Sequence, residues 1–164
     1  MIVRPAEPDD AIQIAYIYNH YIATSHSTFE LDPIDEVEML RRMDLDNDIS
    51  YPFFVYESGD VISGYAYGRL FRPRGASHHS IETSVYVRPG KDGMGIGSAL
   101  YERLIDDIRS RDFHTIVAGI SLPNEPGVHL HEKFGFEKAA HFREVGRKFD
   151  RWFDVGFWEL LLDK

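Results

Sequence analysis

The feature that most restricts the fold of this chain is a glycine-rich loop between a strand and a long helix. Residues 84–87 end the strand, and Gly-Met-Gly-Ile-Gly-Ser at 93–98 opens the helix. Such a loop directs several unpaired backbone N–H groups, with the helix dipole behind them, toward one point. Because glycine lacks a side chain, a diphosphate can approach the backbone closely. The segment predicts an anion site, although a GxGxG pattern alone is equally typical of a connecting turn.

Two other phosphate-binding motifs do not fit this loop. A Walker loop requires Gly-Lys-Ser/Thr, and the chain has Gly97-Ser98-Ala99 there, without the lysine. A Rossmann fingerprint requires a glycine three residues after its second one, and Ser98 and Leu100 occupy the two possible places. The sequence therefore argues against a nucleotide kinase and against a dinucleotide-binding enzyme.

The composition is that of a soluble globular chain of 164 residues without cysteine. The content of 43% apolar and 27% charged residues argues against disorder. The lack of cysteine excludes disulfides, thiolate zinc sites and a cysteine nucleophile. A net charge of −9 makes nucleic acid an unexpected partner. No apolar run approaches the ~18 residues of a membrane span, and the N-terminus lacks the apolar core of a signal peptide. We therefore expect a cytoplasmic protein with no membrane partner.

Hydrophobic periodicity and turn residues predict a mixed α+β chain that forms one domain over residues 1–164. Helices are predicted at about 8–23, 33–44, 96–111 and 126–134. Strands are predicted at 53–56, 61–71, 81–87, 114–121, 136–145 and 152–162. The acidic stretch 44–48 is expected to be a solvated connection. This order, with antiparallel strands before a strand–helix–strand–helix segment, indicates a mixed sheet.

Short sequence blocks with a recognisable order extend along nearly the whole chain. They are Asn19-His20-Tyr21-Ile22, Thr28-Phe29, Arg72-Pro73-Arg74, Ile81-Glu82-Thr83-Ser84-Val85-Tyr86-Val87, Leu122-Pro123-Asn124-Glu125-Pro126, Leu130-His131-Glu132-Lys133-Phe134-Gly135-Phe136, Val145-Gly146-Arg147-Lys148 and Trp152-Phe153-Asp154-Val155-Gly156-Phe157-Trp158. Together with the glycine loop, these blocks resemble the GNAT superfamily of N-acetyltransferases, in its phosphinothricin and methionine sulfone acetyltransferase branch. The chain departs from the branch pattern at Asp92, Gly93, Gly127 and His129.

The resemblance implies a central, mixed and mostly antiparallel sheet flanked by about four helices, with acetyl-CoA as cosubstrate. It also implies a homodimer with the closing strands near the interface. The cofactor-binding residues that it implies are Val85, Tyr86, Val87, Gly93, Met94, Gly95, Ile96, Gly97, Ser98, Asn124 and Lys133. The substrate-binding residues that it implies are Arg72, Pro73, Arg74, Glu82, Thr83 and Ser84. The planar arginine fork suits a carboxylate, phosphinate or sulfone oxygen, and the alternative is a pair of solvated loop arginines.

Two residues are candidates for proton transfer. An aliphatic amine is mostly ammonium at neutral pH, so acetylation requires a general base. The resemblance implies that this base is Glu82, acting through water, and the alternative is an exposed or salt-bridged carboxylate. His131 lies where many GNAT enzymes have a tyrosine that protonates the departing thiolate. It could donate that proton or adjust the pKa of Glu82. The alternative is a structural histidine whose hydrogen bonds are made within the core.

The remaining chemistry needs no metal. His129 and His131 are two residues apart on a predicted helix and point to nearly opposite sides, and His78-His79 alternate if extended. A backbone N–H from residues 85–87 is the expected donor to the oxyanion. The sequence therefore favours direct acetyl transfer from acetyl-CoA to the amino group of a small amino-acid-like acceptor. The acceptor types implied are phosphinothricin, methionine sulfoximine and methionine sulfone. The alternative, suggested by Asp92 and Gly127, is a CoA-binding sensor or interaction module with weakened catalysis.

Overall fold

A computed structural model describes residues 1–45 and 51–163 of the chain. Residues 46–48 of the predicted acidic connection lie outside the described residues. The described part forms four α-helices, α1 (Ala11–Thr24), α2 (Glu36–Met43), α3 (Ile96–Arg109) and α4 (Glu125–Lys133). It also forms seven strands, β1 (Ile2–Pro5), β2 (Phe53–Ser58), β3 (Val61–Leu70), β4 (Ser80–Val87), β5 (Thr115–Leu122), β6 (Glu137–Lys148) and β7 (Arg151–Leu161).

The seven strands form one sheet in the order β1-β2-β3-β4-β5-β7-β6. Among the described strands, β4 and β5 pair in parallel and every other neighbouring pair is antiparallel. The parallel pair requires a crossover, and α3 provides it. The predicted fold, a mixed and mostly antiparallel sheet flanked by about four helices, is confirmed.

The sheet has a hydrophobic core on each face. On one face, Leu100 and Leu104 of α3 pack against Ile81 of β4. On the other face, Ile14 of α1 and Met39 of α2 pack against β2 and β3. Because successive strand residues point to opposite faces, Glu82, Ser84 and Tyr86 face the side of α1 and α2, whereas Ile81, Thr83 and Val85 face α3.

The structure differs from the predicted elements at the N-terminal side. Strand β1 was not predicted, because its four residues include an arginine and a proline rather than an alternating apolar pattern. Helix α2 begins at Glu36 rather than at Pro33, because the Asp35 side chain accepts a hydrogen bond from the Glu38 N–H and caps the helix there. Residues Pro8–Asp10 form a 3-10 turn ahead of α1. None of the described helices is long and apolar enough to cross a membrane.

Candidate active site

Strands β4 and β5 pair only at their first residues, and a cleft opens where they separate. The register runs from Ser80 opposite Thr115 to Glu82 opposite Val117, although β4 continues to Val87 and β5 to Leu122. The cleft has a volume of about 300 Å³. Its lining comes from both strands, the starts of α3 and α4, and the segment around α1: Tyr21, Ser27, Thr83, Ser84, Val85, Tyr86, Val87, Asp92, Gly97, Gly119, Ile120, Ser121, Asn124, Pro126, Gly127 and Leu130.

The glycine loop lies at one end of this cleft. Gly93 and Gly95 have φ angles of 73° and 78°, in the left-handed region that favours glycine, and Gly95 directly precedes the first turn of α3. A Cβ atom at either position would have no neighbour within 4 Å, so the space beside the loop is open. Met94 is 64% exposed and Ile96 is buried in the core. The loop therefore presents backbone to an open surface at a helix N-terminus, which fits a diphosphate.

Helix α4 closes the same end of the cleft. Asn124 caps it, because its Oδ1 accepts a hydrogen bond of 3.0 Å from the Gly127 N–H. A Cβ atom at Gly127 would lie 2.7 Å from Asn124 Nδ2, so the glycine allows the amide to fold over the helix start. Lys133 Nζ donates to Ser98 Oγ at 2.9 Å and joins the last turn of α4 to the first turn of α3. The structure thus brings these predicted cofactor residues together.

Asp92 is the acidic residue among the predicted neighbours of the diphosphate, and it lines the cleft. Its negative charge adds to burial in raising the pKa of the Tyr21 phenol. The Tyr21 hydroxyl donates to the Val87 carbonyl at 2.7 Å, which fixes the end of β4 to α1. A carboxylate beside an anionic ligand is unfavourable, so Asp92 is expected to weaken cofactor binding.

Glu82 is not among the residues that line the cleft but lies next to its other end, at the last residue where β4 pairs with β5 and beside the lining residues Thr83 and Gly119. A Cβ atom at Gly119 of β5 would lie 3.5 Å from Glu82 Oε1, so the glycine leaves room for the carboxylate. Burial raises the pKa of Glu82 above its ordinary value, and the positive charge of Arg72 acts in the opposite direction. Within residues 1–45 and 51–163 the carboxylate accepts no hydrogen bond from the protein. A carboxylate whose pKa is raised by burial is a stronger base than an exposed one.

The predicted acceptor-binding arginines follow β3 and precede β4. Arg72 has a φ of 50° and its guanidinium lies 5.6 Å from the Phe71 ring centroid. It is close enough to Glu82 to influence the pKa of that carboxyl group. Pro73 and Arg74 are exposed in the same loop, and Arg74 has no such effect on Glu82. Arg72 is exposed as well, so all three predicted acceptor-binding loop residues lie at the surface, and of the two arginines Arg72 is the one whose charge reaches Glu82.

His131 is 6% exposed and does not line the cleft. Its Nδ1 lies 2.6 Å from the Gly127 carbonyl and its Nε2 lies 2.6 Å from the Tyr101 hydroxyl. Tyr101, in turn, is 2.9 Å from Thr83 Oγ1, and Thr83 does line the cleft. Burial lowers the pKa of His131. Sequence reasoning missed Tyr101, although a tyrosine within the apolar stripe of α3 indicates a buried hydroxyl that needs a partner.

A second polar pair at the cleft was also missed. His26 Nδ1 lies 2.7 Å from Ser121 Oγ, and the His26 ring stacks on Phe153 with centroids 4.3 Å apart. Lys148 Nζ donates to the carbonyls of Ser25 and Thr28, at 2.7 and 2.9 Å, and so fixes the segment that carries His26. No spacing in the sequence connects these distant residues. In the described part of the chain, no group of three His, Cys, Asp or Glu residues could hold a metal ion.

Known proteins resemble the chain over its whole length. The sequence model of a family described as "Acetyltransferase (GNAT) domain" matches residues 3–156. A phosphinothricin N-acetyltransferase of Streptomyces coelicolor is 39% identical over 161 residues, which cover 96% of this chain and 94% of that protein. An L-methionine sulfoximine/L-methionine sulfone acetyltransferase of Salmonella typhimurium is 35% identical over 164 residues, which cover 100% of this chain and 96% of that protein. The crystal structure of a GNAT superfamily phosphinothricin acetyltransferase from Sinorhizobium meliloti, in complex with acetyl-CoA, has a TM-score of 0.93 and 31% identity over 98% of this chain and 88% of that one.

Proposed function

The chain belongs to the GNAT acetyltransferase family, and we propose that it transfers the acetyl group of acetyl-CoA to the amino group of a small amino-acid-like acceptor. The implied acceptors are phosphinothricin, methionine sulfoximine and methionine sulfone, which the names of its relatives contain. The observation that carries the proposal is one cleft with an open glycine loop at one end and the half-buried Glu82 carboxylate next to the other, beside the lining residue Gly119.

Acetyl-CoA binding follows from the loop and from α4. The backbone N–H groups of 93–98 would bind the diphosphate, with Ser98, Lys133 and Asn124 beside them. The strand residues Val85, Tyr86 and Val87 line the cleft and would contact the rest of the cosubstrate. The open space beside Gly93 and Gly95 supports this placement.

In the proposed reaction, Glu82 accepts a proton from the acceptor ammonium through water and leaves a neutral amine. The amine attacks the thioester carbonyl, and a backbone N–H from residues 85–87 stabilises the oxyanion. Collapse of the tetrahedral intermediate expels the CoA thiolate, the proton that the attacking nitrogen loses passes to that thiolate, and Glu82 returns its own proton to solvent. The chain has no cysteine, so no cysteine acyl-enzyme forms and the acetyl group passes directly between the two substrates.

The acceptor would bind between the Arg72 loop and β4. Arg72 offers a planar fork for a carboxylate, phosphinate or sulfone oxygen, with Pro73 and Arg74 in the same loop. Thr83 and Ser84, which follow Glu82, line the cleft and would contact the acceptor near its amino group. Both nitrogens of His131 have hydrogen-bond partners, which favours an indirect effect on the site over direct protonation of the thiolate.

We also propose that residues 1–164 form one domain and that two copies form a homodimer. The family match over 3–156 supports the first point. Edge strand β6 and its neighbour β7 support the second, because they expose apolar side chains such as Phe142, Val145 and Trp152. We further propose a cytoplasmic protein with no membrane or nucleic-acid partner, and the net charge of −9 supports the absence of a nucleic-acid partner.

The test is thiol release from acetyl-CoA with a panel of amino-acid analogues. We expect release with phosphinothricin, methionine sulfoximine or methionine sulfone, and little with an analogue that lacks the free amino group. If the protein binds CoA but releases no thiol with any amine, it is the sensor or interaction module instead. The curated relatives are named as acetyltransferases, so this alternative is not favoured.

A further inference from the structure

A serine and a histidine form a polar pair on the face of the sheet that carries Glu82. Ser121 of β5 lines the cleft, and its Oγ lies 2.7 Å from His26 Nδ1. Glu82 is opposite Val117 in the parallel register, so alternate residues of β5, from Val117 through Gly119 to Ser121, face the same side as Glu82. Gly119, which has no side chain, therefore lies between the carboxylate and the hydroxyl on that side of β5.

The position of Ser121 along β5 is on the cofactor side of Glu82. Strands β4 and β5 separate after Glu82, and β4 then leads to the glycine loop while β5 leads to Asn124 at the start of α4. With the CoA diphosphate at the loop, the sulfur lies nearer the loop than the carbonyl carbon that the amine attacks. Ser121 is about 6.6 Å beyond Gly119 in the same direction, two residues along an extended strand. We therefore expect the sulfur to lie beside Ser121 and the amine beside Glu82.

The surroundings of His26 determine which of the two side chains donates. Burial and the positive charges of Arg151 and Lys148 lower the pKa of His26, so the ring is neutral at pH 7 and carries one hydrogen. A hydrogen bond of the ring to its own backbone acts in the opposite direction. A carbonyl oxygen only accepts, and Nδ1 is the ring nitrogen next to the backbone, so the hydrogen is on Nδ1. His26 therefore donates to Ser121 Oγ.

The hydroxyl hydrogen of Ser121 is then available to the cleft. Within residues 1–45 and 51–163 the Ser121 side chain has no hydrogen-bond partner besides His26. Since Ser121 lines the cleft, a ligand in the cleft can accept this hydrogen. His131 does not line the cleft, and both its nitrogens have partners, so it does not reach the sulfur directly. A fixed donor beside a leaving group stabilises the negative charge that develops there.

We propose that Ser121 is a catalytic residue that donates a hydrogen bond to the CoA sulfur as the thiolate leaves, and that His26 is a positioning residue that holds Ser121 Oγ in this orientation. This inference rests on the proposed function. The C–S bond breaks and its electron pair goes to sulfur, while Ser121 keeps its hydrogen. The proton that the attacking nitrogen loses then passes to the sulfur. Because the hydrogen bond favours the thiolate over the thiol, it lowers the pKa of the bound CoA thiol.

The pKa of the bound CoA thiol tests this proposal without an acceptor amine. It is measured from the ultraviolet absorbance of the thiolate during a pH titration of the complex, with the desulfo-CoA complex as the reference. Ser121→Ala should raise this pKa by about one unit, the value of one hydrogen bond to a charged group. Ser58→Ala, at the end of β2 and outside the lining of the cleft, is the matched control and should leave the pKa unchanged. An unchanged pKa in Ser121→Ala overturns the proposal.

His26→Phe tests the positioning role, because it keeps a ring on Phe153 and removes the hydrogen bond to Ser121. We expect a smaller rise of the thiol pKa than in Ser121→Ala, and no further rise in the double variant, because His26 acts through Ser121. Additive rises would overturn the positioning role. If His26→Phe does not fold, the ¹⁵N chemical shifts of His26 in the wild-type protein still decide. They should show a hydrogen on Nδ1, and a ring without it would accept the Ser121 hydrogen and contradict the proposal.

Turnover separates the failure of this proposal from the failure of the proposed function. In Ser121→Ala the single-turnover rate of thiol release should fall about tenfold, while the acceptor KM stays within about twofold. If the wild-type protein releases thiol and this variant does so at the same rate, the proposed function stands and the role of Ser121 is wrong. If the wild-type protein binds CoA but releases no thiol with any amine, the proposed function fails, and the thiol pKa and the ¹⁵N shifts still test the pair. A protein that binds no CoA would overturn both.

Discussion

The two ends of the β4–β5 cleft are built from different parts of the chain. Next to one end lies a single half-buried side chain, Glu82, whose pKa is raised by burial. At the other end the backbone of residues 93–98 lies open at the start of α3, held by glycines in left-handed conformations. Under the proposed mechanism, the first end sets the rate of proton removal and the second sets the affinity for acetyl-CoA. Substitutions should therefore separate turnover from binding.

The largest expected effect is at the carboxylate end. Glu82→Gln keeps the size of the side chain and removes the base, so we expect kcat to fall about 10²- to 10⁴-fold. The Kd of CoA should stay within about twofold of the wild-type value, since Glu82 lies outside the glycine loop. Thiol release measures the rate and calorimetry measures the affinity. Glu102→Gln, at an exposed position of α3, is the matched control. Undiminished turnover in Glu82→Gln would remove this residue from the mechanism.

The second prediction concerns the backbone end. Gly95→Ala places a Cβ atom on a residue with φ 78°, which costs about 1–2 kcal/mol if the conformation is retained. We expect the loop to relax away from this conformation and the Kd of CoA to rise roughly tenfold, with kcat at saturation reduced far less. Calorimetry and saturation kinetics measure the two quantities.

The matched control for this loop is Gly59→Ala. Gly59 has φ 63° in the turn between β2 and β3, outside the lining of the cleft. The free energy of unfolding of the Gly59→Ala protein should fall by a similar amount, and its affinity for CoA should be unchanged. If Gly95→Ala and Gly59→Ala lose CoA affinity equally, the loss comes from general destabilisation of the protein and not from a change in the glycine loop.

Sequence reasoning was most successful where a local pattern determines the structure. The amphipathic stripe of α3 and the glycine loop before it are local, and both lie as predicted. Membership of the GNAT family, inferred from ordered blocks, is confirmed by the match over residues 3–156. The position of Glu82 at the separation of β4 and β5 depends on pairing between strands that are distant in sequence, which no local pattern contains.

The contacts of the two histidines near the cleft also depend on segments that are distant in sequence. His131 was expected from the resemblance, yet its buried bonds to Tyr101 and Gly127 depend on how three elements pack. His26 was not singled out, since its contact with Ser121 joins positions 95 residues apart. The role proposed for Glu82 is a prediction that Glu82→Gln tests, and the role proposed for His131 stays a prediction.

The third prediction uses the charge beside Glu82. The positive charge of Arg72 lowers the pKa of this carboxyl group and opposes the effect of burial. The base must be ionised to act, so kcat/KM rises with pH through the pKa of Glu82. Arg72→Leu removes the charge and raises that pKa. The rise of kcat/KM with pH (the rising limb of the profile) then moves to higher pH. Arg72→Lys retains the charge and should keep the wild-type limb.

A single acceptor is used for all three proteins, so its own ionisation contributes equally to each profile. If the profile of Arg72→Leu coincides with that of Arg72→Lys, then Arg72 does not tune the base. The acceptor KM of both variants is a separate measure, because only arginine offers the planar fork.

The smallest expected effect returns to the backbone end. Asp92 places a carboxylate at the cleft where a diphosphate would bind, and it is exposed to solvent. Asp92→Asn removes that repulsion, so we expect CoA to bind about two- to threefold more tightly at low salt, with kcat unchanged. The gain should disappear at about 1 M salt, where the Debye length falls to about 3 Å. Calorimetry at two salt concentrations measures it. If the gain in affinity persists at high salt, Asp92 acts through the conformation of the loop and not through its charge. CoA binding at the backbone end would then depend on a particular side chain, as proton removal depends on Glu82.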